Sequence, residues 1–106
     1  MPRKFRRFEI LLPLVYNDGR PVPGPLIDDT LGELREQSGA VSSETQTIRG
    51  DWRFGEHLYE DRMMRVFVDV EDTPDNYAYF AVLKSKLRTR FEQLDLYMTS
   101  YPIEVI

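Results

Sequence analysis

The chain of 106 residues contains no cysteine, which excludes disulfide bonds, thiolate zinc sites, iron–sulfur clusters and a cysteine nucleophile together. It has one histidine, His57, so a metal site built from several histidines is excluded as well. No glycine-rich stretch offers a cradle for phosphate. The longest apolar run, residues 10–16, contains Pro13 and falls far short of the roughly 20 residues a transmembrane helix needs. Excess positive charge is also missing: 14 Lys and Arg stand against 18 Asp and Glu, a net charge of −4 at pH 7. That balance disfavours a nucleic-acid partner, because neutralising phosphates supplies most non-specific affinity for nucleic acids.

What is present suits a folded chain. Hydrophobic residues make up 42% and charged residues 30%, an ordinary globular composition. A length of 106 residues is enough for a two-layer core, so residues 1–106 are expected to form a single domain. The opening is basic, with Arg3, Lys4, Arg6 and Arg7, and an apolar run follows. It leads into Tyr16-Asn17-Asp18-Gly19 rather than a small-residue cleavage site, so residues 1–6 read as a flexible basic arm ahead of a first strand. Without an export signal, the expected setting is the cytoplasm.

From Arg7 to Val15, the residues Phe8, Ile10, Leu12 and Leu14 alternate with Glu9, Leu11 and Pro13, the period-2 pattern of a strand. Residues 17–25 are dense in turn formers and read as a loop. Leu26, Ile27, Thr30, Leu31 and Leu34 recur at helical steps, and Gly39 is placed as a stop. The β-branched but polar stretch from Val41 to Ile48 suits an edge strand that could run on through Trp52. A hairpin is expected at residues 54–57, where Gly55 permits a positive φ.

The strongest β signal spans about Leu58 to Val70, where Met64, Val66, Val68 and Val70 alternate with Met63, Arg65, Phe67 and Asp69. Thr73-Pro74-Asp75 predicts a helix start, with Thr73 as the N-cap and Pro74 in the first helical position. Phe80, Leu83, Leu87 and Phe91 form its apolar stripe. A last strand is expected over Leu94–Thr99, with residues 103–106 as its continuation or a separate edge. The order strand, helix, strand, strand, helix, strand predicts an α+β ferredoxin-like plait, βαββαβ. Both helices would lie on one face of a four-stranded antiparallel sheet, with the first and third strands at its centre.

One sheet face would then be bare. Leu11, Met63, Phe67 and Tyr97 fall on it, with Trp52, Tyr59 and Tyr101 as possible additions. A contiguous apolar surface of that kind calls for a partner, and a second copy is the least demanding, since a two-fold axis makes one patch self-complementary. Those four residues are therefore the expected ligand or homodimer face, with a small molecule or another protein as the alternative occupant; the competing reading is that Arg65, Glu9 and Asp69 break the surface into singly exposed hydrophobes that call for no partner.

The candidates for chemistry are sparse. His57 sits in the clustered stretch Trp52–Asp61, where a general base could pair with a carboxylate, although a hairpin histidine is more often simply solvated. Asp18 follows the first strand, where two such aspartates across a dimer axis could hold Mg²⁺ for phosphodiester cleavage. Tyr16-Asn17-Asp18 is superficially similar to the strand end of small CRISPR-associated plait nucleases, yet Asn-Asp-Gly is also a common turn sequence. No residue set calls for a resident metal or a cofactor. RNA-recognition modules share the element order and stack bases on central-strand aromatics. Here Arg65–Val70 keeps only Phe67, lacks the glycine-aromatic pattern, and places Asp69 where it would repel phosphate.

Taken together, Phe8-Glu9-Ile10-Leu11-Leu12-Pro13-Leu14, Asn17-Asp18-Gly19, Ile48-Arg49-Gly50-Asp51-Trp52 and Tyr101-Pro102-Ile103-Glu104-Val105 resemble small bacterial proteins of about this length. The resemblance implies the plait fold and a bacterial cytoplasmic setting, and it carries no functional motif. The expected activity is that of a non-catalytic homodimeric binding or regulatory module. A small dimeric α/β-barrel-type enzyme, a metal-dependent nuclease and an RNA-binding plait are the alternatives.

Overall fold

Alternating side chains build the centre of the molecule. The computed structural model describes residues 3–106. Its elements are β1 (Arg3–Pro13), α1 (Gly24–Ser38), β2 (Ser42–Ser43), β3 (Ile48–Phe54), β4 (His57–Glu71), α2 (Pro74–Arg90) and β5 (Met98–Val105). β1 and β4 are the inner strands, antiparallel and in a register that sets Phe8 opposite Val68, Ile10 opposite Val66 and Leu12 opposite Met64. β5 flanks β1 on one side, and β2 and β3 both pair with β4 on the other.

Period-2 burial in the strands meets period-3.6 burial in the helices. Phe8, Ile10 and Leu12 of β1 and Val66, Val68 and Val70 of β4 form one core with Leu34 of α1 and Phe80, Leu83 and Leu87 of α2. Both helices therefore cover the same sheet face. The Phe8 and Phe80 rings stack with centroids 4.1 Å apart, pinning α2 over the middle of β1. Thr73 caps α2 as its sequence predicts, its hydroxyl accepting from the Asn76 backbone N–H at 3.2 Å. Gly39 ends α1 at φ 85°, its N–H returning to the Arg35 carbonyl at 2.8 Å.

Three boundaries differ from the sequence reading. The sheet has five strands, not four, because the edge strand expected from Val41 through Trp52 is broken. Between the pairs Ser43↔Val66 and Ile48↔Met63, residues 44–47 oppose only residues 64–65, so the extra chain bulges out of the ladder. The basic arm expected over residues 1–6 is strand from Arg3 onward, with Lys4 opposite Glu104 and Arg6 between Val70 and Pro102; residues 1–2 lie outside the described residues. The last strand runs over Met98–Val105 rather than Leu94–Thr99. Pro102 does not interrupt it, because β5 is an edge strand, where a missing donor can face away from the ladder.

β4 is longer than the strand it pairs with. The pairing with β1 ends at Pro13↔Met63 and a last bond from the Leu14 N–H to the Arg62 carbonyl at 2.7 Å, so His57–Asp61 continue with β3 alone as a two-stranded arm. Gly55 sits at φ 64° in the first of the two loop positions, the place a type II′ turn reserves for glycine. Among the described residues no helix is long and apolar enough to cross a membrane.

Candidate binding cleft

The face opposite the helices divides into two halves of different chemistry. Over the middle of β1 and β4 the side chains are charged and paired. Arg7 clamps Asp69, directly opposite it in the register, through Nε at 2.8 Å and a terminal nitrogen at 3.0 Å. Arg65 donates to Glu9 on the diagonal and to Glu44 at 2.8 Å, and the Tyr101 hydroxyl donates to the same Glu9 carboxylate at 2.8 Å. The Arg65 hydrogen bond holds the Glu9 carboxyl below the usual carboxylate range, and the Asp69 hydrogen bond raises the Arg7 guanidinium further. Phe67 lies between the two arginines, whose guanidinium carbons stand 4.2 and 4.6 Å from its ring centroid.

That half corrects the expectation of an apolar surface around Phe67. Its aromatic ring is already partnered by cations of its own chain, and the cations by carboxylates. Nothing in it gains by exclusion of water.

The second half lies where β1 ends and the arm begins. A cleft of about 680 Å³ opens there, lined by Leu11 and Pro13 of β1, Gly50–Phe54 of β3, Asp61 and Met63 of β4, and residues 93–97 before β5. Leu11 is fixed in it by its N–H bond to the Tyr97 carbonyl at 3.1 Å. Three of the four residues expected on the bare face, Leu11, Met63 and Tyr97, are thus brought together, and Phe67 is not among them.

Strand alternation decides which arm side chains face the cleft. The cross-strand pairs Ile48↔Met63, Gly50↔Asp61, Trp52↔Tyr59 and Phe54↔His57 share Met63's side of the ribbon, so Asp51 and Arg53 are turned to the other. Trp52 stacks on Tyr59 with ring centroids 4.5 Å apart, and its Nε1–H donates to Asp61 Oδ2 at 2.5 Å. Gly50 leaves room for the Met63 methyl, which a Cβ there would approach to 2.6 Å and push aside. Asp61 and Gly50 were not assigned to a site from the sequence, and Trp52 only as an addition to the bare face. The signal was available in the pairing, since Asp61 is the diagonal neighbour of Trp52 in any hairpin turning at Gly55-Glu56.

The two candidates for catalysis lie apart from the cleft. His57 is exposed at the arm's tip, with its ring 4.2 Å from that of Tyr59. Asp18 is exposed in the loop after β1, where its carboxylate accepts from the Arg20 backbone N–H at 3.0 Å and from Arg20 Nε at 2.6 Å. These contacts, the backbone hydrogen bond first, hold its carboxyl below the usual range. They make Asp18 the acceptor of an Asx-type turn. Among the described residues no group of three or more His, Asp or Glu is placed to hold a metal ion.

The arrangement is that of a small α+β domain of ferredoxin-like type with an extended hairpin. No protein-family model matches the chain, and no curated protein does. Solved structures do. A phage SAM lyase in complex with S-methyl-5′-thioadenosine superposes with a TM-score of 0.66 at 13% identity, covering 95% of this chain and 88% of that one. The divalent cation tolerance protein (Cut A1) from Thermus thermophilus gives 0.63 at 15% identity, covering 93% and 84%. The phage SAM lyase in its apo state gives 0.61 at 14%, covering 98% and 89%. At these identities the likeness is one of fold.

Proposed function

We propose that this protein is a non-catalytic binding module whose small-molecule ligand lies in the cleft between Leu11, Trp52, Asp61, Met63 and Tyr97. The cleft itself carries the reading. Its volume of about 680 Å³ falls in the range of ligand sites, and apolar and aromatic walls joined by a small set of polar groups are the usual make-up of such sites. The neighbouring phage lyase holds S-methyl-5′-thioadenosine, a ligand with one flat heterocycle, which suits a lining of aromatic rings.

The module acts as a homodimer in the cytoplasm. Phe54 and Tyr97 stand at the cleft's rim 63% and 65% exposed, and a two-fold axis would let each copy cover the other's rim. A chain without cysteine needs no oxidising compartment. The chain's single tryptophan, Trp52, makes the test specific to the cleft. Titration with S-methyl-5′-thioadenosine is expected to change Trp52 fluorescence saturably, and Leu11→Asp is expected to abolish the change. Saturable binding with no response at Trp52, or one unaffected by Leu11→Asp, would reject the cleft. Sedimentation tests the assembly separately: the wild type is expected as a dimer and Tyr97→Asp as a monomer.

A further inference from the structure

Asp61 differs from the other carboxylates on this side of the sheet. Glu9, Glu44 and Asp69 are each paired with an arginine, whereas among the described residues no cation lies within ion-pair distance of Asp61. Its hydrogen-bond partner is the indole N–H of Trp52, on Oδ2, so Oδ1 remains available. Alternation makes it the one acidic arm side chain on Met63's side of the ribbon, whereas Asp51 and Arg53, which also border the cleft, stand on the other. Asp51 pairs with Arg49 at 3.5 Å, and Asp95, on the opposite wall, pairs with Lys84 at 3.5 Å.

We propose that the cleft selects an organic cation, a quaternary ammonium or sulfonium group attached to a flat or apolar body, through Asp61 and the aromatic rings of Trp52 and Tyr97. The inference rests on the cleft reading above. A tryptophan face attracts cations more strongly than any other side-chain ring, and an anionic acceptor on the indole N–H pushes further electron density into it. A soft, methylated cation also sheds its water more easily than an ammonium with N–H groups, and it needs no hydrogen-bond acceptors from the apolar wall. The apolar body would occupy the Leu11–Pro13–Met63 wall.

The test compares two molecules of the same shape, phenyltrimethylammonium and tert-butylbenzene, by ligand-observed NMR and by Trp52 fluorescence. The cation is expected to bind about tenfold more tightly. Asp61→Asn keeps an acceptor for the indole but removes the charge, and is expected to cut the ratio of the two affinities several-fold; an unchanged ratio overturns the role given to Asp61. Asp95→Asn, which removes an acid already paired, is expected to leave the preference in place. Equal binding of the two wild-type ligands, or tighter binding of the neutral one, overturns the cation inference and leaves the cleft reading standing. Failure of both ligands to bind overturns both. Should Asp61→Asn not fold, the wild-type ratio alone decides.

Discussion

The two halves of the open sheet face are built from neighbouring stretches of the same two strands, yet they are finished differently. Around Phe67, every charge that the strands turn outward meets an opposite charge of the same chain: Arg7 with Asp69, Arg65 with Glu9 and Glu44. Two to four residues beyond Glu9 on β1 and Arg65 on β4, Leu11, Met63 and Asp61 face a cleft with no such closure. A surface that satisfies itself is finished as it stands, and one that leaves apolar walls and a half-used carboxylate has something to offer a ligand. The contrast shows why counting apolar residues on a face is a poor guide to where that face binds.

The covered face gives the scale against which both halves are measured. Phe80→Ala removes the ring stacked on Phe8 from a fully buried site and is expected to lower stability by about 3–5 kcal/mol in urea unfolding. Arg65→Ala, in the paired half, leaves Glu9 and Glu44 without their cation and is expected to cost about 1–3 kcal/mol, with ligand binding in the cleft unchanged. A cost near zero would mean that the charge layer is ornamental and the comparison false.

Acid sharpens the same contrast. Glu9 titrates below its ordinary value of 4.5, so its contribution is fully present above that value and is lost as pH falls through the lowered one. Wild-type stability is expected to fall below about pH 4.5, and Glu9→Gln to flatten that limb of the profile. An identical acid limb in Glu9→Gln would assign the loss to other carboxylates.

The cleft half is expected to respond in binding and hardly in stability. Gly50→Ala displaces the Met63 methyl, the far end of a flexible side chain, so the fold tolerates it while the cleft narrows and probe affinity drops several-fold. Tyr97→Ala, at an exposed position, is expected to change stability by less than about 0.5 kcal/mol while weakening the cation probe.

Much of the architecture was legible because it follows from periodicity and local chemistry. The inner strands announce themselves by the alternation Phe8-Ile10-Leu12 and Val66-Val68-Val70, and α2 by Thr73-Pro74 and the stripe Phe80-Leu83-Leu87. The bulge at residues 44–47 was not legible, since its polar residues suit strand and loop alike. Nor was β5, where Pro102 looked like an end because its place at the sheet edge depends on topology. The site was half legible: alternation put Leu11, Met63 and Tyr97 on one surface, but register alone reveals that Arg7 meets Asp69 and that Arg65 reaches Glu9. Those contacts take Phe67 out of the site, and the Trp52–Asp61 bond adds what replaces it.

The most direct measurement is a backbone and side-chain NMR map of the protein titrated with phenyltrimethylammonium. Shifts confined to Leu11, Gly50, Trp52, Asp61, Met63 and Tyr97, with Arg7, Phe67 and Asp69 unmoved, are the predicted result. Shifts centred on Phe67 and its arginines would contradict the division of the face on which the proposed function depends.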